Sequence, residues 1–201
     1  MSVIRRAIII CLLTAVSGIK AEINFTPTVN RYFSEGAEYS SVTFKENKRS
    51  ISMEVPRLWT CHGDASRLQF TPPDQHFAEG TIQAAPASGV VPFNEATIKA
   101  LEGQLMNSLP PGSQAITMVS RQENPIILEQ NLSYEFVVSY QTLGKVFLRS
   151  VIFVNCPDKQ LIFRFTAPKE NFDALNKAFR HSLYSWHGAT APAPPAPSST
   201  N

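Results

Sequence analysis

Cys61 and His62 stand side by side in the segment WTCHGD (59–64), and Asp64 lies two positions further on. Three chemistries use these residue types: a thiol nucleophile with its base, a metal site, and a disulfide. A nucleophilic cysteine needs a base that reaches its sulfur. Adjacent residues of an extended chain point to opposite faces, so His62 is badly placed to serve Cys61. A metal site would draw on His62, Asp64, Asp74 and His76, two imidazoles and two carboxylates in a short span, enough ligands for zinc. Their H-x-D and D-x-H spacings match no recognised ligand pairing, and Pro72-Pro73 lies between the two halves. Solvated loop residues are the simpler reading. There is no Gly-rich phosphate loop, no G-x-S-x-G and no H-E-x-x-H, and His181 and His187 complete no triad. The sequence therefore predicts no catalytic residue, no metal and no cofactor, with His62, Asp64, Asp74 and His76 as the weak metal candidates.

The third chemistry depends on the compartment. Arg5 and Arg6 precede an apolar run, Ala7 to Val16, and small residues follow as far as Ala21. That is the order of a secretory signal peptide. The run is too short for the ~20 residues of a membrane-spanning helix. We therefore expect residues 1–21 to be removed, with Glu22 as the new terminus, and an exported protein, periplasmic or extracellular, with no integral membrane span. Cys11 leaves with the signal, so Cys61 and Cys156 form an even pair in an oxidising compartment, and the pair predicts a disulfide. The loop it would close makes it worth about 4–5 kcal/mol in the chain-entropy picture. Removing the signal also takes Arg5, Arg6 and Lys20 from the 18 basic residues, leaving 15 against 16 acidic. No basic field then remains to attract nucleic acid.

The elements that must position these residues are legible from apolar spacing. Residues 22–38 read as an irregular lead-in. Val42 and Phe44, then Ile51, Met53 and Val55, alternate around the polar ENKR turn and predict two strands. RLQFTP and GTIQAAP predict two more. Ile98, Leu101 and Leu105 change to the helical period after Asn94, a plausible N-cap, and Pro110-Pro111-Gly112 stop that helix. AITMVSR and PIILEQ read as short strands. LSYEFVVSYQ, KVFLRSVIFV and QLIFRFTA follow as an antiparallel meander turning at Gly144 and at Pro157-Asp158. Phe172, Leu175, Phe179, Leu183 and Trp186 then form one helical apolar stripe. Beyond Trp186, residues 188–201 are rich in Ala, Pro, Ser and Thr, a composition that predicts a disordered tail.

SISMEVPRLW, the Leu-rich helix, the meander and the closing FDALNKAFRHSLYSW together resemble the PsbP-like domains, over roughly residues 39–187. The resemblance implies an α+β single domain in which a central antiparallel sheet is flanked by helices, an α/β/α sandwich. It also implies non-catalytic binding, the property shared by a family that includes a photosystem II subunit and a Ran-binding import factor. The expected function is an exported binding or accessory protein whose partner is another exported or envelope protein. The alternative is a metal-dependent or hydrolytic enzyme using the loop His62–His76.

Overall fold

The computed structural model describes residues 23–190. The expected signal segment, and the tail beyond Thr190, lie outside the described residues. The described residues begin with three antiparallel strands, β1 (Ile23–Ser34), β2 (Ala37–Glu46) and β3 (Arg49–Val55). Next come β4 (Thr60–Gly63), β5 (Arg67–Thr71), β6 (Glu79–Pro86), α1 (Glu95–Asn107), β7 (Gln114–Glu123), β8 (Ser133–Thr142), β9 (Lys145–Asn155), β10 (Lys159–Pro168), α2 (Lys169–Leu183) and β11 (His187–Thr190). They form a four-stranded sheet in the order β1-β2-β3-β11 and a seven-stranded sheet in the order β4-β5-β6-β10-β9-β8-β7.

The expected meander β8-β9-β10 is present, and both helices form where the apolar period places them. The Asn94 side chain accepts the Thr97 N–H at 2.9 Å and starts α1, satisfying one orphan donor of the first turn. Leu143 and Gly144 both take positive φ, 52° and 71°, the pattern of the two-residue turn that suits a twisted hairpin.

The architecture corrects the expected helix-flanked sandwich. The protein is mostly β, with two antiparallel sheets and two helices among the described residues. Among the described residues, α1 is the one helix on the outer face of the seven-stranded sheet. The inner face packs against α2 together with the second sheet. Its buried residues include Phe25, Val42, Phe44, Ile51 and Met53 from that second sheet, Phe70, Ile82, Ile152, Phe163 and Phe165 from the seven-stranded sheet, and Phe172, Phe179 and Leu183 from α2. Phe179 stacks on Phe165 at 5.5 Å and meets Phe70 edge-on at 5.7 Å. Trp186 presents its edge to Phe44 at 5.3 Å and Phe163 at 5.7 Å, and so joins the two sheets.

Four segments were unreadable as what they are, the short edge strand β4 (Thr60–Gly63) among them. The lead-in is not irregular: residues 23–34 are β1, most of it exposed. Only Ile23 and Phe25 reach the core; the rest of the strand has no core beneath it and no reason to alternate, so the run that would mark a strand is too short to read. Pro27 sits where the β1–β2 register shifts, as expected for a residue that cannot donate to the ladder. PIILEQ is a loop with one isolated bridge, Leu128 to Asn131, and its apolar residues Ile126 and Leu128 plug the core. Residues 188–190 belong to β11, paired with β3, rather than to the tail.

Candidate functional site

On the outer face of the seven-stranded sheet, register brings residues from distant strands into rows. One row runs His62, Gln69, Thr81, Arg164, Val151, Phe136, from β4 to β8. A second runs Arg67, Gln83, Ile162, Phe153, Tyr134. A third runs Glu79, Thr166, Arg149, Val138. The rows change character at β10. From β8 to β9 they carry Tyr134, Phe136, Val138, Val151 and Phe153, covered by Leu101 and Leu105 of α1. From β10 to β4 they are polar apart from Ile162, which packs against the α1 cluster.

Three arginines lie in or beside this polar half: Arg67 on β5, Arg164 on β10 and Arg149 on β9 at its border. Arg149 is buried and fixed: its Nε donates to Thr166 Oγ1 at 2.9 Å, its Nη1 donates to the Ser108 carbonyl at the C-terminus of α1, and its guanidinium lies 5.6 Å from the centre of the Tyr140 ring. A cation suits that helix end. Burial pushes the guanidinium below its usual pKa, and burial also pushes the Tyr140 phenol up against the pull of Arg149 and Arg164. Arg164 is a diagonal neighbour across the β9–β10 ladder, a placement that puts Cβ atoms within about 7–8 Å. Its pKa is also lowered, first by burial and then by the charge of Arg149. Unlike Arg149, Arg164 has no side-chain hydrogen bond and no ion pair among the described residues, and its Nε is buried without an acceptor. Directly opposite, Thr81 is 3% exposed and its Oγ1 is buried without a partner. Of three such orphaned atoms among the described residues, two face each other here; the third is Asn176 Oδ1 on α2. The one carboxylate in the rows, Glu79, accepts from Gln69 Nε2 at 2.8 Å.

The residues singled out from the sequence are dispersed by the same geometry. His62 joins the polar rows at the exposed edge, whereas Cys61 faces inward in the row of Phe70, Gly80 and Phe165. Asp64 caps the β4–β5 turn: its Oδ1 accepts from the Ser66 hydroxyl at 2.6 Å, the Ser66 N–H at 2.7 Å and the Arg67 N–H at 3.0 Å. Those bonds, the Ser66 hydroxyl foremost, hold its pKa below the usual carboxylate range. Asp74 and His76 lie beyond the opposite end of β5, about 17 Å away at the strand rise. Among the described residues no three His, Cys, Asp or Glu side chains gather as a metal site would require.

The expected Cys61–Cys156 bridge is a further correction, because both cysteines are free thiols. Cys61 sits on the edge strand β4 and Cys156 just past β9, with β5, β6 and β10 between. Four strand spacings are about 19 Å, and a disulfide needs Cα atoms about 5.5–6 Å apart. Burial raises the Cys61 thiol to about 12 and Cys156 to about 11, so neither supplies a thiolate near neutral pH.

The polar half therefore offers fixed positive charge and unsatisfied donors. Arg67, Arg149, Arg164 and Thr81 were not singled out from the sequence. The one local signal is FRFT (163–166), in which a charged residue interrupts buried phenylalanines. By itself that pattern reads as the solvent side of an ordinary strand.

No family model matches the chain, and no curated protein matches it. Among solved structures it is similar to PA94, a protein of unknown function from Pseudomonas aeruginosa, at 16% identity and a TM-score of 0.47, covering 83% of this chain and 98% of that one. It is also similar to cyanobacterial PsbP (CyanoP) from Synechocystis, at 11% identity and a TM-score of 0.42, covering 86% of this chain and 95% of that one. Likenesses this distant assign neither a family nor a function.

Proposed function

We propose that this protein is a non-catalytic binding or accessory module of an exported compartment, and that it holds its ligand on the polar half of the outer sheet face. The observation that carries the reading is Arg164. A half-buried guanidinium with an unpartnered Nε costs stability in the free protein, and sites kept for binding are where a chain retains such a cost. Exposed polar sheet faces are common, but their long charged side chains normally reach water or a partner. The basic, apolar and small residues of 1–21 support export, and no helix among the described residues is long and apolar enough to cross a membrane. The proposed partner, another exported or envelope protein, would be served by this module rather than chemically altered by it.

The test is Arg164→Met, which keeps the apolar stem and removes the charge. If Arg164 is retained for binding, the variant should be more stable than the parent by on the order of 1 kcal/mol in urea unfolding. A variant less stable than the parent would make Arg164 a structural residue and remove the reading.

A further inference from the structure

We infer that Arg149, Arg164 and Thr81 form a seat for a phosphoryl group, carried by a small phosphate ester or by a lipid head group. This rests on the outer face being the binding surface and adds the chemical class of what binds there.

The first argument is charge. Arg67, Arg149 and Arg164 lie in the rows against the single carboxylate of Glu79, which is already engaged by Gln69. The local excess is two positive charges, and a phosphate monoester carries about −1.5 to −2 at neutral pH. Two guanidinium groups on neighbouring strands repel each other. An anion between them replaces that repulsion with two charge-assisted bonds.

The second argument is the disposition of donors. Arg149 is immobilised by Thr166 and Ser108 and lies over Tyr140. Arg164 and Thr81 face each other across the β6–β10 ladder, each with an orphaned polar atom. The donors thus come from three strands: β9, β10 and β6. A planar carboxylate has two oxygens, which one arginine fork can saturate. A phosphoryl group has three acceptor oxygens in a tetrahedral spread, and so matches two guanidinium groups and a hydroxyl arriving from different directions. Nothing comparable surrounds Arg31 on the β1–β2 hairpin, where an exposed guanidinium meets Glu38 at 3.7 Å.

The purified full chain, in buffer free of phosphate and sulfate, is titrated with inorganic phosphate and, at matched ionic strength, with acetate. Thermal unfolding and ³¹P NMR line width are the readouts. A parallel series measures co-sedimentation with phosphatidylcholine vesicles, with and without phosphatidic acid. We expect saturable binding of a phosphoryl probe, weakened at least tenfold by Arg164→Met and several-fold by Thr81→Val, and unchanged by Arg31→Ala. Binding of soluble phosphate alone identifies a free ester, and binding confined to phosphatidic acid vesicles identifies a head group. The inference is overturned by an equal response to acetate, by no response to either phosphoryl probe, or by a response indifferent to Arg164→Met. If Arg164→Met is more stable than the parent and no phosphoryl probe binds, only the ligand class is wrong. If that variant is less stable, the binding-surface reading has failed as well.

Discussion

The two faces of the seven-stranded sheet are built from the same strands and do opposite things. On the inner face, alternate residues Phe70, Ile82, Phe163, Phe165, Ile152 and Val154 are buried beneath α2 and the second sheet, and the polar residues among them are paired: Ser150 Oγ donates to Glu135 Oε1 at 2.6 Å and Arg180 of α2 donates to Glu135 Oε2 at 3.0 Å. On the outer face, burial by α1 stops at β10, and beyond it the same strands carry Arg164, Thr81, Gln69 and His62. The inner face is where packing decides the fold. The outer face tolerates a guanidinium with no hydrogen bond among the described residues, its charge offset by that of nearby Glu79, because the inner face already holds the strands in place. A region relieved of stabilising the sheet is free to carry groups suited to something else.

The comparison can be broken most severely from the inside. Phe179 sits between Phe70 and Phe165 and is 1% exposed. Phe179→Ala should cost about 3–5 kcal/mol, read as a lower urea midpoint at unchanged slope. A cost below about 1 kcal/mol would mean that α2 does not close this core.

Leu105 makes the equivalent contact on the outer face, 1% exposed against the β8–β9 aromatics. The α1 cluster is smaller and borders the open half, so its surroundings can relax into the space. Leu105→Ala should cost about 2–3 kcal/mol by the same measurement. A loss equal to that of Phe179→Ala would mean that the two faces contribute alike.

Gly80 sharpens the inner face from the other direction. A Cβ built there would lie 2.7 Å from Phe179 Cε2, so Gly80→Ala overpacks the site. The expected cost is about 1–2 kcal/mol. Gly80→Ala combined with Phe179→Leu should recover part of it, because the shorter side chain vacates the clash. Independent, additive losses would show that the two residues do not touch.

The smallest expected effect is at the edge of the outer face, where Asp64 caps its exposed turn. Its pKa is lowered in the folded chain, so its contribution is present above the unfolded value of about 3.9 and is lost as pH falls through the folded value. Asp64→Ala should therefore unfold slightly more readily than the parent at pH 6, with the gap closing as pH drops below about 4. A gap that widens on acidification would reverse the sign and exclude the cap.

Local pattern determined the meander, both helices, the Asn94 cap and the buried stripe of α2, because each depends on residues within a few positions of one another. The separation of β1, β2, β3 and β11 into their own sheet did not follow from it. An exposed strand has no period to read, and strand order is set by which apolar faces pack together at long range. The same distinction governs the candidate site. That Arg164 alternates with phenylalanines is written in FRFT, but its place opposite Thr81, 83 residues earlier, and beside Arg149 exists only through the β6–β10 and β10–β9 registers. The sequence also paired Cys61 with Cys156 by counting. Only the strand order shows why they stay apart: a disulfide is decided by distance across the sheet, and three strands lie between them.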